Sequence, residues 1–325
     1  MMTIWPVSLM SISVSASKTV ALSKPPRIGL VLGGGGARGV GHILMLEVLE
    51  ELGVRPAAIA GTSIGAIYGA AFATGLPARL IRANTEEVLS QRFDLVRQLF
   101  AARQEPLQRI FNVLQLKSAL FNPEALLDLL LPSQVPRTFD RLATPLKVVA
   151  TDYYAQEAVV MSDGPLRSAV AASMALPMIF TPVEREGRVL MDGGLVNPLP
   201  FDVLGAAVDV TVAIDVSGMP RLPDGPGAAV PSAIEALVAS SQILQRSIVT
   251  EKLKAGRPDM YIDVDVDRFH VLEFHRYREI LAAAEPAKLK LRGQLSRLLG
   301  AETTEDLSMA DKAPRRLGPP DATCN

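Results

Sequence analysis

A chain of 325 residues with a formal net charge of −1, 49% apolar and 21% charged, suits a large globular α/β domain and gives no electrostatic basis for nucleic acid as a partner. Its one cysteine, Cys324, and three histidines, His42, His270 and His275, exclude a disulfide framework and a thiolate metal site and leave a histidine metal site hard to build. No metal is expected, and a reducing compartment is the default.

Residues 1–26 begin weakly apolar between Ile4 and Val14, but Pro6 and several serines interrupt the run and no Lys or Arg precedes Lys18. A secretory signal needs a basic start and an unbroken apolar stretch, so a flexible leader is expected. The expected location is cytoplasmic or peripheral to a membrane, with secretion through the leader left open. No run approaches the ~18 to 20 apolar residues of a membrane span.

Arg27 to Leu32 is a short continuous apolar run and reads as a buried strand. It leads into Gly33-Gly34-Gly35-Gly36-Ala37-Arg38-Gly39. From Val40 to Glu51, Ile43, Leu46 and Leu49 alternate with Glu47, Glu50 and Glu51, the spacing of an amphipathic helix stopped by Gly53. A second apolar segment, Ala57 to Ala60, precedes Gly61-Thr62-Ser63-Ile64-Gly65, and a helix of small residues (Ala66, Gly69, Ala70, Ala71, Ala73) follows. Strand, loop, helix, strand, sharp turn, helix is a βαβ opening.

Gly-x-Ser-x-Gly between a strand and a helix is the context of a nucleophile elbow, in which Gly61 and Gly65 let the backbones approach closely enough to expose Ser63. Taken singly the pattern is equally a tight turn. The upstream glycines admit a dinucleotide reading, Gly34-x-Gly36-x-x-Gly39, but that fingerprint needs an acid about 20 residues on, at the end of the second strand. Ser63 stands there instead. Backbone N–H groups gathered at a helix N-terminus suit an oxyanion hole better.

Pro77 opens another helical segment, and Gln91 to Leu131 is rich in leucine and phenylalanine. Between Gln91 and Phe121 five basic residues, Arg92, Arg97, Arg103, Arg109 and Lys117, stand against Asp94 and Glu105. The segment reads first as core-facing helix with solvated charges and second as an interfacial lid touching lipid. Leu146 to Ala150 is a third strand, and Pro165 to Met174 a helix ending before Pro177. Val189 to Met191 then lead into Asp192-Gly193-Gly194 and the turn Asn197-Pro198. Asp192 therefore sits where a strand gives way to a loop, a common place for a catalytic carboxylate and equally for an Asx turn.

Ser63 needs a base. A triad in the order Ser, acid, His would have to use His270 or His275, neither flanked by anything resembling a catalytic loop, and His42 reads as local packing or capping. A Ser-Asp dyad demands a dry site that raises the carboxylate's proton affinity. Asp192 is the leading candidate because it alone carries the double glycine, with Asp152 and Asp215 behind it.

Together the three segments resemble the patatin-like phospholipases. The likeness rests on Gly34-Gly-Gly-Ala-Arg-Gly39, Gly61-Thr-Ser-Ile-Gly65 and Asp192-Gly-Gly194 with Asn197-Pro198, in matching order, over about Arg27 to Leu204. It implies a three-layer α/β/α fold with a central, mostly parallel sheet, and hydrolysis of lipid or phospholipid acyl esters without a cofactor. It makes Ser63 the nucleophile, Asp192 its base and the Gly34, Gly35 and Gly36 backbone the oxyanion loop. It puts Arg38 and Gly39 in that loop as well, Arg38 to orient it or meet a phosphate, while Gly61, Gly65, Gly193 and Gly194 support the elbow and the acid's loop. A membrane-associated module that keeps the fold without the chemistry remains an alternative.

Glycine and proline cluster over 220–231. Ser232 to Lys254 reads as a long helix, Met260 to Val266 as a solvent-facing edge strand, Leu281 to Leu299 as a helix, and 301–325 as a disordered tail. One domain over 27–300 is expected.

Overall fold

The computed structural model describes residues 25–91, 121–177, 179–218, 230 and 233–300. The expected leader, the basic lid segment and the tail lie largely or wholly outside these residues.

β1 (Ile28–Leu32) is buried along its whole length because both faces are covered. Successive side chains alternate between faces. Leu30 and Leu32 join one core, and Val31 joins a second core on the opposite side of the sheet. Continuous apolar runs buried on both faces are the mark of a parallel sheet with helices on each side. β2 (Ala58–Thr62) pairs parallel with β1, β3 (Leu146–Asp152) parallel with β2, and β7 (Val210–Asp215) parallel with β1 on its other edge. β8 (Met260–Asp263) extends the parallel set. Three antiparallel strands complete it: β4 (Ala158–Met161), β5 (Val183–Arg185) and β6 (Arg188–Asp192). The described order is β5-β6-β3-β2-β1-β7-β8, with β4 on β3.

One layer contains α1 (His42–Glu51), α2 (Ile64–Ala73) and α7 (Tyr277–Leu298), packed on the face bearing Leu30, Leu32, Ile59 and Ile214. α5 (Leu166–Ser173) packs on β3 and β6, and α3 (Ala78–Gln91) and α4 (Pro123–Leu130) join this layer through α1, α2 and α5. On the opposite face, Val249 of α6 (Ala233–Ala255) and Leu199 and Leu204 cover Val31, Ala60 and Ala213. The fold is thus a three-layer α/β/α sandwich around a mostly parallel sheet. No helix among the described residues is long and apolar enough to cross a membrane.

Two elements differ from expectation. α1 is not amphipathic in the expected sense: His42 to Leu46, Val48 and Leu49 are all buried. α7 packs against α1, and Glu47 is held in salt bridges to Arg82 and Lys288. Gly53 (φ 67°) does end α1: its N–H bonds the Glu50 carbonyl and the Val54 N–H reaches back to Leu49, a Schellman cap. β8 stops at Asp263, and Val264 and Val266 are buried beyond it, so the alternation of that stretch marks core contacts and not a solvated edge.

Candidate active site

The parallel strands present their C-terminal ends together, and β2 ends in Thr62 where Ser63 turns the chain into α2. Ser63 has φ 55° and ψ −123°, a backbone rarely adopted by a residue with a side chain and therefore held by its surroundings. Two hydrogen bonds hold it. The Ser63 N–H donates to Ser173 Oγ at 2.8 Å, and the Ser173 hydroxyl donates to the Val149 carbonyl at 2.6 Å. Space does the rest, because a Cβ at Gly65 would collide with the Leu32 carbonyl and one at Gly61 with the start of α2.

The Ser63 hydroxyl donates to Asp192 Oδ2 at 2.7 Å, across 129 residues of sequence. Asp192 ends β6 and is buried, and its other oxygen accepts the Gly194 N–H at 2.7 Å. Its backbone is fixed as well: the N–H bonds the Ala175 carbonyl and the carbonyl accepts Thr151 Oγ1. Gly193 presses against the Val149 carbonyl and has no room for a Cβ, and one at Gly194 would crowd Asp192 Oδ1 and the side chain of Gln245. Asn197 ties down the rest of this loop. Its carbonyl accepts from Thr62 Oγ1, its Oδ1 accepts from Lys252 and its Nδ2 donates to Asp202.

Burial pushes the Asp192 carboxyl up to about 6 from the ordinary 3.8, while the hydrogen bonds from Ser63 and Gly194 pull the other way. Desolvation is the largest influence and outweighs them. A carboxylate made more basic by a dry site and bonded directly to a serine hydroxyl can take that hydroxyl's proton.

The glycine loop lies alongside: a Cβ at Gly34 would stand 3.5 Å from the Ser63 Cβ. Gly36 is in the left-handed region (φ 58°) and is packed on the Val271 carbonyl, so only glycine fits there. The three glycines are not equivalent. The Gly34 N–H is spent on the Pro198 carbonyl at 2.9 Å, whereas those of Gly35 and Gly36 bond no described residue. Gly39 packs on Ile64, which joins the loop to the first turn of α2.

Arg38 is 2% exposed. Its Nε donates to the Gly35 carbonyl at 3.4 Å and its Nη2 to Gln242 Oε1 at 3.0 Å. Burial lowers the guanidinium to about 10, with Asp267 and Asp215 opposing, so it stays charged at neutral pH. These bonds link the loop to α6.

A cavity of about 420 Å³ opens from Ser63 and Asp192. Its lining is mostly apolar, with Ile67, Val88, Leu126 and Phe180 among it, and Ser217, Ser241, Gln242 and Gln245 add a few polar groups. An apolar chamber with a few polar groups suits a ligand with an acyl chain and an ester.

Neither His270 nor His275 is among the cavity's lining residues. Asp152 caps the turn after β3 through the Tyr154 and Ala155 N–H groups, and Asp215 accepts from Ser217, Tyr261 and Arg246. Both are engaged away from Ser63. No cluster of three or more metal-ligating side chains occurs among the described residues. The site residues not foreseen are Ser173, Thr62 and Gln242. Of these only Ser173, a polar residue in the small-residue run ending α5, carried a signal.

A family model described as patatin-like phospholipase matches residues 30–204, the span that holds all three motifs. An uncharacterized NTE family protein of Mycobacterium bovis is 35% identical over 205 residues, covering 62% of this chain and 52% of its own. The patatin-like phospholipase domain-containing protein 7 of Rattus norvegicus is 34% identical over 192 residues, covering 58% of this chain and 13% of its own. The chain therefore spans about half of the mycobacterial relative and a small part of the rat one. Among solved structures, VipD from Legionella pneumophila superposes with a TM-score of 0.44 at 16% identity, covering 83% of this chain and 67% of its own.

Proposed function

The chain belongs to the patatin-like phospholipase family, and from that premise we propose that it hydrolyses acyl esters of lipids, phospholipids among them, with Ser63 as nucleophile and Asp192 as its base. The observation that carries this reading is the 2.7 Å hydrogen bond from Ser63 Oγ to the buried Asp192 Oδ2, both residues lining a mostly apolar cavity.

In the first half-reaction Asp192 takes the Ser63 proton as Oγ attacks the ester carbonyl. The negative charge that develops on the carbonyl oxygen is met by the N–H groups of Gly35 and Gly36, the donors of the loop not already bonded. Gly34 holds the loop's shape instead, because its N–H serves Pro198. Collapse of the tetrahedral intermediate breaks the ester bond, and Asp192 returns its proton to the leaving alcohol. Water then attacks the acyl-serine with Asp192 again as base, which releases the fatty acid and restores Ser63. The acyl chain lies along Ile67, Val88 and Leu126 during both steps. A lipid reaching such a cavity comes from an aggregate or membrane surface, so contact with that surface is peripheral.

The test is a mass-spectrometric screen of lipid hydrolysis with the unaltered chain and with Ser63→Ala. Fatty-acid release that disappears in the variant, while circular dichroism shows the fold intact, supports the reading. Equal release from both proteins overturns it. Full activity in a His270→Ala, His275→Ala double variant separates the dyad from a histidine triad.

A further inference from the structure

The peptide that joins Gly33 to Gly34 is gripped at both ends. Its carbonyl oxygen faces His42 Nε2 at 2.9 Å, and its N–H donates to the Pro198 carbonyl at 2.9 Å. A peptide unit is planar, so fixing both polar ends fixes its rotation about the chain. That matters more here than in an ordinary loop, because consecutive glycines leave the backbone with little steric preference of its own. Hydrogen bonds must then set the direction of the N–H groups that follow, those of Gly35 and Gly36.

His42 is built to supply such a bond. A carbonyl only accepts, so Nε2 carries the ring proton and Nδ1 is left as an acceptor. Nδ1 is buried and finds no partner among the described residues. An unpaired buried acceptor costs stability, a cost that phenylalanine or leucine would avoid if the position only filled space. The ring is held edge-on to Tyr68, with centroids 6.2 Å apart, which fixes the direction of the Nε2 bond. Burial lowers the imidazole to about 4, so it is neutral, with one proton, across the working range.

We propose that His42 is a positioning residue for the oxyanion loop: its Nε2–H, opposed by the Pro198 carbonyl, locks the Gly33–Gly34 peptide so that the next two N–H groups face the developing oxyanion. This rests on the loop assignment made above. His42 touches no reacting atom; it acts through the Gly33 carbonyl.

The experiment compares His42→Phe, which fills the space without a donor, with His42→Gln, whose amide nitrogen reaches about where Nε2 lies. His42→Phe is expected to lose about 10²-fold in kcat, the scale of a misplaced catalytic group, with KM changed less than about twofold. Affinity for a trifluoromethyl ketone of matched chain length, whose hemiketal oxyanion occupies the loop, should fall in parallel, and His42→Gln should recover most of both. Hydrogen exchange in a Ser63→Ala background reads the lock without turnover: the Gly34 amide should lose protection with His42→Phe and keep it with His42→Gln. A folded His42→Phe with unaltered kcat, equal losses in Phe and Gln, or unchanged Gly34 protection in the Phe variant overturns the proposal. Should Ser63→Ala still release fatty acid while Gly34 loses protection only in the Phe variant, the nucleophile assignment falls and the His42 lock stands.

Discussion

Replacing Asp192 by asparagine should sharply slow turnover and make the protein more stable at neutral pH. The carboxylate is 4% exposed, and its partners are the Ser63 hydroxyl and the Gly194 N–H. Its folded pKa of about 6 stands above the ordinary 3.8. Between those values the folded chain binds a proton that the unfolded chain has lost, so stability falls as pH rises through this window. With 1.36 kcal/mol for each pKa unit, keeping Asp192 ionised at pH 7 costs the fold up to about 3 kcal/mol. Asparagine avoids the charge while keeping the shape: its Oδ1 can accept the Gly194 N–H and its Nδ2 can donate to Ser63 Oγ. Urea denaturation followed by circular dichroism should therefore find Asp192→Asn about 1 to 3 kcal/mol more stable than the unaltered chain at pH 7. The advantage should vanish toward pH 4. Fatty-acid release should drop by about 10² to 10⁴, the usual worth of a general base. A variant no more stable at pH 7, or one with the same difference at both pH values, refutes the assignment of Asp192 as a desolvated base.

The same pKa predicts that kcat/KM falls about tenfold per pH unit below about 6, as protonation removes the base. A rate level from pH 7 to pH 5 would assign the base to another group. Ser173→Ala strands the Ser63 N–H and the Val149 carbonyl, so a loss of about 1 to 3 kcal/mol is expected in urea denaturation. Because those bonds hold the strained elbow, kcat should fall as well, and wild-type kinetics in this variant would mean that Ser63 holds its backbone unaided.

Much of the site was legible because close backbone approach leaves a mark in sequence. Gly65 against the Leu32 carbonyl and Gly193 against that of Val149 tolerate no side chain, so the elbow and the acid loop announce themselves as glycine patterns. β1 was legible for a related reason: a strand covered on both faces needs apolar residues at every position. The errors fall where a neighbouring helix intervenes. α1 shows charges at Glu47, Glu50 and Glu51, yet Arg82 of α3 and Lys288 of α7 make Glu47 an ion-pair partner, and Lys288 lies 241 positions away. The short antiparallel strands β4 and β5 were not foreseen, since three or four residues on a partly exposed edge carry too little periodicity. The division of labour among Gly34, Gly35 and Gly36 was equally hidden: identical residues differ only in whether Pro198 lies within reach of their N–H. Ser173 and His42 act through side-chain hydrogen bonds to the backbone of other elements, and no spacing rule reports those.

The most direct test of the dyad is labelling of the folded protein with a fluorophosphonate, followed by peptide mass spectrometry. Ser63 should carry the adduct, and Asp192→Asn should suppress it, because the hydroxyl then has no group to take its proton. A folded chain that never labels, or one modified at another serine with Ser63 untouched, contradicts the nucleophile and with it the proposed reaction.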